Sequence, residues 1–355
     1  MRRAAALIVG GGPAGASAAL ALARGGAMPV LIERSPGERD LVCGGFLGWD
    51  AIAELKKLGL DPAMLGAKPI HRLRLVSGRT VVEAALPHAA AGLSRRRLDA
   101  TLLRMAEEAG AAVLRGRAAR ALEGHRLRLD DGEELEGDAI FLATGKHELR
   151  GAARGVGGRA VSIGLRAALA PSAALARELA GTIELHLYDG GYAGLLLQED
   201  GAVNLCLTAA RGRLSGGPEA LVAALTKEAS LLGERIGGPA PDWEAIAGVP
   251  YGWRAKATEP GLYRIGDQAA VIASLAGDGI AVALASGAAA SHACLHGDGP
   301  GARAYQRAFA RRAKRPLAIA ETLRHMAEAP VRRNLLMKLA KVPGLAAKAA
   351  KLTRI

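Results

Sequence analysis

Apolar residues open the chain in three blocks separated by glycine and proline. Ala4-Ala5-Ala6-Leu7-Ile8-Val9 is short, unbroken and stopped by a glycine cluster, the pattern of a strand buried on both faces. An Ala/Leu-rich run then continues to Arg24 with helical composition, and Pro29-Val30-Leu31-Ile32-Glu33 reads as a second strand ending in an acid. Further on the period changes to two. Alternations at His71 to Val76, Thr80 to Leu86, Arg159 to Leu165, Thr182 to Tyr188 and Ala202 to Thr208 predict strands with one face buried. Between them, Leu98, Leu102, Met105 and Ala109 fall on one face of a helix for which Ser94 is the natural N-cap. Asp138 to Leu142 forms another apolar strand, and residues 301–355 read as helices.

The opening strand, turn, helix and strand carry the first chemistry. Gly10-Gly11-Gly12-Pro13-Ala14-Gly15 has the G-x-G-x-x-G spacing, with Glu33 about 20 residues beyond at the end of the second strand. Gly10 makes the turn, Gly12 lets backbone approach a pyrophosphate at the helix N-terminus, Gly15 allows close helix–strand packing, and Glu33 accepts hydrogen bonds from a ribose diol. That constellation predicts a dinucleotide site. No second such unit is visible: Gly155-Val156-Gly157-Gly158 leads into an alternation rather than a helix, and Gly216-Gly217-Pro218 follows no tight strand-to-helix turn.

Composition narrows the alternatives. The 355 residues suffice for two or three domains, or one large unit with an insertion. Half the residues are hydrophobic and 23% charged, which excludes a disordered chain. No apolar run reaches the length of a membrane span, and Arg2-Arg3 runs directly into a strand rather than a leader, so the expectation is a cytoplasmic protein. Cys43, Cys206 and Cys294 are odd in number and far apart, which fits neither a disulfide framework nor a zinc cage. The net charge of +13 suggests a polyanion partner, but with aromatics at 3% there is little for nucleic-acid bases to stack on, and no nucleic acid is expected. His292 and His296 are four apart beside Cys294, yet lack the carboxylate a metal site needs, so no metal is expected.

Tyr263-Arg264-Ile265-Gly266-Asp267-Gln268-Ala269-Ala270, followed by Ala276-Gly277-Asp278-Gly279-Ile280 and a long helix, resembles the Gly-Asp motif of FAD-dependent aromatic hydroxylases and geranylgeranyl reductases. The resemblance covers most of residues 1–300. It implies a non-covalently bound FAD, with Asp267 on the ribitol chain and Gly277, Gly279 and Ile280 aiming backbone N–H groups and a helix N-terminus at the flavin ring. Arg95, in Ser94-Arg95-Arg96-Arg97-Leu98-Asp99, matches the family's arginine near the flavin. Ala143-Thr144-Gly145 matches its second glycine turn, and Cys43-Gly44 a Cys-Gly stretch of the reductases. Arg34, after Glu33, completes the expected cofactor set with Pro13 and Ala14. Where many hydroxylases carry Asp-Gly, this chain has Lys146-His147-Glu148.

The fold implied is α/β. A Rossmann-like FAD-binding domain of the glutathione-reductase type (1–65, 91–150 and 256–300) carries an inserted, mostly antiparallel β-sheet substrate domain (66–90 and 151–255), and C-terminal helices (301–355) follow. For activity, the resemblance implies first an NAD(P)H- and O2-dependent monooxygenase that hydroxylates an aromatic or polyketide-like lipophile through a flavin C4a-hydroperoxide, NAD(P)H visiting only transiently. A reductase of isoprenoid or quinone-like C=C bonds is the second reading, and a flavin-binding partner protein without turnover the third. Tyr192 is what remains in Tyr188 to Gln198 of the reductases' aromatic motif, and Gly191 of the halogenases'. Cys43, His147 and Tyr192 are the catalytic candidates, and Pro250-Tyr251-Gly252-Trp253 a candidate pocket wall. From Ala329 to Ile355 there are seven basic residues and no acid, with Val331, Leu335, Leu339 and Val342 on one helical face. Two readings stay open: contact with anionic lipid, or packing of that face onto the protein's own body.

Overall fold

The structure, a computed structural model, describes residues 2–155, 162–237, 242–297 and 301–355. Strand β1 (Arg2–Val9), helix α1 (Pro13–Arg24) and strand β2 (Val30–Glu33) form the predicted opening unit. The chain continues through β3 (Phe46–Leu47), α2 (Trp49–Lys57), β4 (Lys68–Ser77), β5 (Thr80–Gly92) and α3 (Arg95–Glu108). Next come β6 (Ala112–Arg115), β7 (Ala119–Glu123), β8 (Arg126–Leu129) and β9 (Glu134–Leu142), then β10 (Ser162–Leu169), α4 (Ala173–Leu179), β11 (Gly181–Tyr188), β12 (Gly191–Leu197) and β13 (Val203–Ala210). The remainder is α5 (Gly217–Glu228), α6 (Ser230–Ile236), β14 (Glu244–Val249), β15 (Leu262–Arg264), α7 (Gly279–His296), α8 (Gly301–Glu328), α9 (Pro330–Ala340) and α10 (Leu345–Leu352).

Two sheets result. The first has the order β6-β2-β1-β9-β8-β7, with β15 also pairing β9. Its core strands run parallel, while β7 and β8 are antiparallel. Leu7 and Ile8 are both buried, because helices cover one face of β1 and the β7–β8 side covers the other. The second sheet has the order β14-β10-β13-β12-β11-β4-β5-β3, antiparallel except where β11 meets β4. The chain is thus α/β, with a Rossmann-like nucleotide sheet and a separate, mostly antiparallel sheet.

Several differences from the sequence expectation have physical causes. The alternation expected from Arg159 begins outside the described residues, as do Val156, Gly157 and Gly158, and its strand is seen from Ser162. Strand β12 shows no alternation because it is the middle strand between β11 and β13, buried on both faces, so Gly-Tyr-Ala-Gly-Leu-Leu-Leu gives no period-two signal. Contrary to expectation, α7 is long and apolar enough, by length and composition, to cross a membrane. Ile280 to Gly287 are nevertheless all buried, against α1: a Cβ on Gly287 would lie 2.4 Å from Ser17 Oγ, and Ser291 Oγ donates to Ala18 O at 3.2 Å.

On the second sheet, Glu184 is fully buried and accepts from Arg74 (2.6 Å), Arg235 (2.9 Å) and His186 (2.8 Å). Burial alone would raise its pKa, but hydrogen bonds from His186, Arg235 and Arg74 outweigh that and lower it from 4.5 to about 2. A depressed carboxylate pKa contributes stability above the unfolded value that is lost as pH falls toward the folded one. Between pH 4.5 and 2 this group should therefore cost about 3 kcal/mol of stability. Acid titrations of unfolding are expected to show that loss in the native protein, with a correspondingly flatter slope in Glu184→Gln; parallel slopes would contradict it.

Candidate functional site

The carboxyl ends of β1, β2 and β9 meet the second sheet around a cavity of about 1480 Å3. At its first end lies the glycine turn. Gly10 has φ +107°, and a Cβ there would sit 2.5 Å from Ala143 O; on Gly15 it would sit 1.9 Å from Gly10 O. Pro13 begins α1 behind Gly12, with no side-chain cap and no acid in the first turn, so the helix keeps free N–H groups and positive potential for an anion. Glu33 is fixed by both oxygens, accepting from Gly11 N (2.6 Å) and Ser35 N (2.7 Å), and faces the cavity. The Arg95 guanidinium comes within 3.2 Å of where a Gly12 Cβ would stand, and it grips Asp99 with both arms (2.9 and 2.6 Å). Burial works against the Arg95 charge, but the Asp99 carboxylate more than compensates, so the guanidinium stays charged beside the N-terminus of α1.

Gly145 takes φ +62° after Ala143 and Thr144, and the three residues border the same cavity. His147, expected as a catalytic candidate, hydrogen-bonds instead to Arg34 (2.8 Å), the residue following Glu33. Burial, then the charges of Arg34 and Arg39, push its pKa down, so the ring is neutral. His147 accordingly belongs to the nucleotide end and is poorly suited to hold a proton for a reaction elsewhere.

Against the glycine turn, Gly266 (φ +60°), where an added Cβ would stand 3.0 Å from the Ala14 Cβ, donates its N–H to Ser286 Oγ at 2.8 Å, which fixes Asp267 at the cavity wall. The Asp267 carboxylate has no hydrogen-bond partner among the described residues. Gly277 (φ +69°) turns the chain into α7 so tightly that a Cβ would lie 2.8 Å from the Phe46 ring, and Gly279 and Ile280 present the helix N-terminus to the cavity. Cys43 and Gly44 border it too. Their loop is held by Asn204, whose Nδ2 donates to Cys43 O (3.0 Å), and by Arg166, which bridges Asn204 (2.8 Å) and Asp40 (2.9 Å).

Three arrangements here join residues that the sequence does not link. Arg354 returns from the C-terminal helices to Asp278 at the start of α7 (2.8 Å), stacked 4.4 Å over Trp49. Asp50 lies 3.9 Å from the same guanidinium, and Asp50 Oδ2 and Asp278 Oδ2 are both buried without a partner. Burial, with the Asp50 charge added, raises the Asp278 pKa well above the ordinary carboxylate value, Arg354 opposing. Secondly, Tyr192 donates to Ser274 Oγ (2.5 Å), which also bonds Tyr251 Oη (2.7 Å), placing three linked hydroxyls on the cavity wall. Burial raises the pKa of both tyrosines, so they are neutral phenols. Thirdly, Leu336, Leu339 and Ala346 of α9 and α10 close the cavity opposite Leu75, Leu86 and Leu185 of the second sheet. Tyr251 borders this cavity, whereas Trp253 packs against Arg154 outside it. Among the described residues no three metal-ligating side chains gather, and His292 and His296 simply meet edge to face.

Comparison with known proteins adds to this geometry. Residues 3–148 match the FAD binding domain family. The chain is similar to the menaquinone reductase of Mycolicibacterium smegmatis, at 26% identity over 317 residues, 83% of this chain and 77% of that protein. It is also similar to the chloroplastic geranylgeranyl diphosphate reductase of Oryza sativa subsp. japonica, at 39% identity over 120 residues, 32% of this chain but only 25% of the relative. Among solved structures, a geranylgeranyl bacteriochlorophyll reductase-like protein from Thermoplasma acidophilum superposes with a TM-score of 0.80 at 18% identity, covering 99% of this chain and 95% of that one. A flavin-dependent brominase gives 0.78 at 14%, covering 99% and 93%. These two likenesses concern the fold.

Proposed function

We propose that the chain, whose residues 3–148 match the FAD binding domain family, is an FAD-dependent oxidoreductase that reduces a C=C bond in a long apolar substrate of isoprenoid or quinone-like type. FAD would be held by the α1 N-terminus, Glu33, Arg95, Asp267 and the Gly277–Ile280 turn, and would supply two-electron chemistry when bound. The reading rests on the cavity. It runs from the flavin end into an apolar compartment of leucines, and its polar groups at the junction are the linked hydroxyls of Tyr192, Ser274 and Tyr251 and the Cys43 thiol.

The two tyrosines among them are neutral phenols. Adding hydrogen across a C=C bond takes two electrons and two protons, delivered as a hydride equivalent and one further proton, and a neutral buried phenol holds that further proton in place. The leucines and the α9–α10 cover exclude water and align an apolar chain. Reductase relatives lend further support, which places this reading ahead of hydroxylation. NAD(P)H remains the proposed transient reductant.

The test is to reduce the FAD-loaded protein without oxygen and add menaquinone or geranylgeranyl diphosphate as probes. Flavin reoxidation with gain of two hydrogens by the probe is expected. Reoxidation that needs O2 and adds oxygen to a probe or a phenol would favour the monooxygenase, and no turnover under either condition a flavin-binding partner. In a productive assay, Tyr192→Phe is expected to lower kcat by about a hundredfold with the flavin spectrum unchanged; unaltered kcat would remove Tyr192 from the reaction.

A further inference from the structure

The C-terminal segment separates its basic residues into two groups. Arg333 is tied to Asp189 at 2.7 Å and Arg354 to Asp278 at 2.8 Å, so both serve the protein's own body. Arg332, Lys338, Lys341, Lys348 and Lys351 are exposed, with no acid anywhere between Ala329 and Ile355. The apolar residues divide in the same way. Met337 is buried, and with Leu336 it packs onto Leu75, Val82 and Leu187 of the second sheet. Val331 (84%), Leu335 (51%), Leu339 (38%) and Val342 (50%) are exposed instead. Spaced by four, four and three residues, they make one ridge along α9 and its C-terminal turn, flanked by Arg332 on one side and Lys338 and Lys341 on the other.

An apolar ridge whose charged neighbours along its own segment are all cations is complementary to one kind of surface: hydrocarbon lying beneath negative charge. Nucleic acid would use the cations but leave the ridge in water. We propose that α9 docks this protein on an anionic lipid bilayer, ridge down, with Lys338 and Lys341 at the headgroups. Leu339 belongs both to the ridge and to the cavity wall, so the docked face adjoins the apolar compartment. The same helix thereby offers an apolar substrate a passage from the bilayer that avoids water. Docking itself is independent of which reaction the flavin performs.

The experiment is cosedimentation of the FAD-loaded full-length protein with vesicles of phosphatidylcholine alone or mixed three to one with phosphatidylglycerol. Binding is expected only to the mixed vesicles, weakening as salt is raised. Lys338→Ala with Lys341→Ala should reduce it about thirtyfold, and Leu335→Glu should abolish it, while both variants keep the flavin spectrum and melting temperature because the altered side chains are exposed. No binding of the native protein to mixed vesicles would overturn the proposal. So would full binding by Leu335→Glu, which would reduce the face to a cation patch fit for any polyanion. A native dimer in size-exclusion chromatography that Leu335→Glu converts to monomer would also overturn it, assigning the ridge to a second copy of this chain.

Discussion

Replacing Gly15 by alanine is expected to give a colourless, destabilised protein. The added methyl would lie 1.9 Å from Gly10 O and 3.1 Å from the Ala143 Cβ, and both neighbours are held by the first sheet. Gly10 in turn has no room to retreat, since its own Cα already faces Ala143 O across a gap that admits no side chain. Relief requires α1 to move away from β1, which carries the helix N–H groups off the phosphate position and opens the α1–α7 contact. Overpacking at a site that cannot yield costs about 3 kcal/mol, and cofactor binding suffers further because the anion site is the helix end itself. Absorbance of the purified protein and its melting temperature check this. A yellow Gly15→Ala protein with native stability would mean that the turn is not the cofactor's seat.

Arg354→Ala is expected to destabilise the protein by about 3 kcal/mol, because Asp278 is then left buried without its counter-charge. The penalty should depend on pH in a defined direction. A carboxylate whose folded pKa is raised binds its proton more tightly in the native state, so stability declines as pH rises through the window between the unfolded and folded values. Removing Arg354 widens that window, and the deficit should shrink toward acid pH, where Asp278 binds its proton. Arg354→Ala combined with Asp278→Asn should recover most of the loss at neutral pH. Denaturant melts at pH 5 and pH 8 separate the cases. Additive losses in the double variant would show that the pair acts through packing on Trp49 rather than through charge.

What the sequence made legible was local. Gly10 to Glu33 is a short stretch whose spacing identifies strand, turn, helix and acid, whereas Gly266 to Ile280 was legible only through its resemblance to a family motif. Contacts made across the chain left no such trace. Arg354 and Asp278 are 76 residues apart, and a lone arginine near a basic tail gives no hint of a buried carboxylate. Tyr192, Ser274 and Tyr251 come from a strand and two loops that only the completed fold aligns. His147 shows the same limit, its position next to a glycine turn saying nothing of the hydrogen bond to Arg34. The ridge on α9 was visible as a pattern, but a helical face in sequence does not say whether protein or solvent lies against it.

The first sheet is closed by strands from far along the chain. Its strand β15 pairs with β9 through Leu262–Ile140, Tyr263–Phe141 and Arg264–Leu142, and α7 covers the Ala-rich side of α1 later still. During synthesis, residues 3–148 must therefore leave the ribosome with Ile140 to Leu142 of β9 unpaired on one edge and the small-residue face of α1 uncovered, and wait through more than a hundred further residues before either is satisfied. Such non-local closure slows folding and leaves an apolar intermediate open to aggregation or chaperone capture. Residues 3–148 are thus not expected to fold by themselves, and cutting the gene after residue 148 should yield insoluble material.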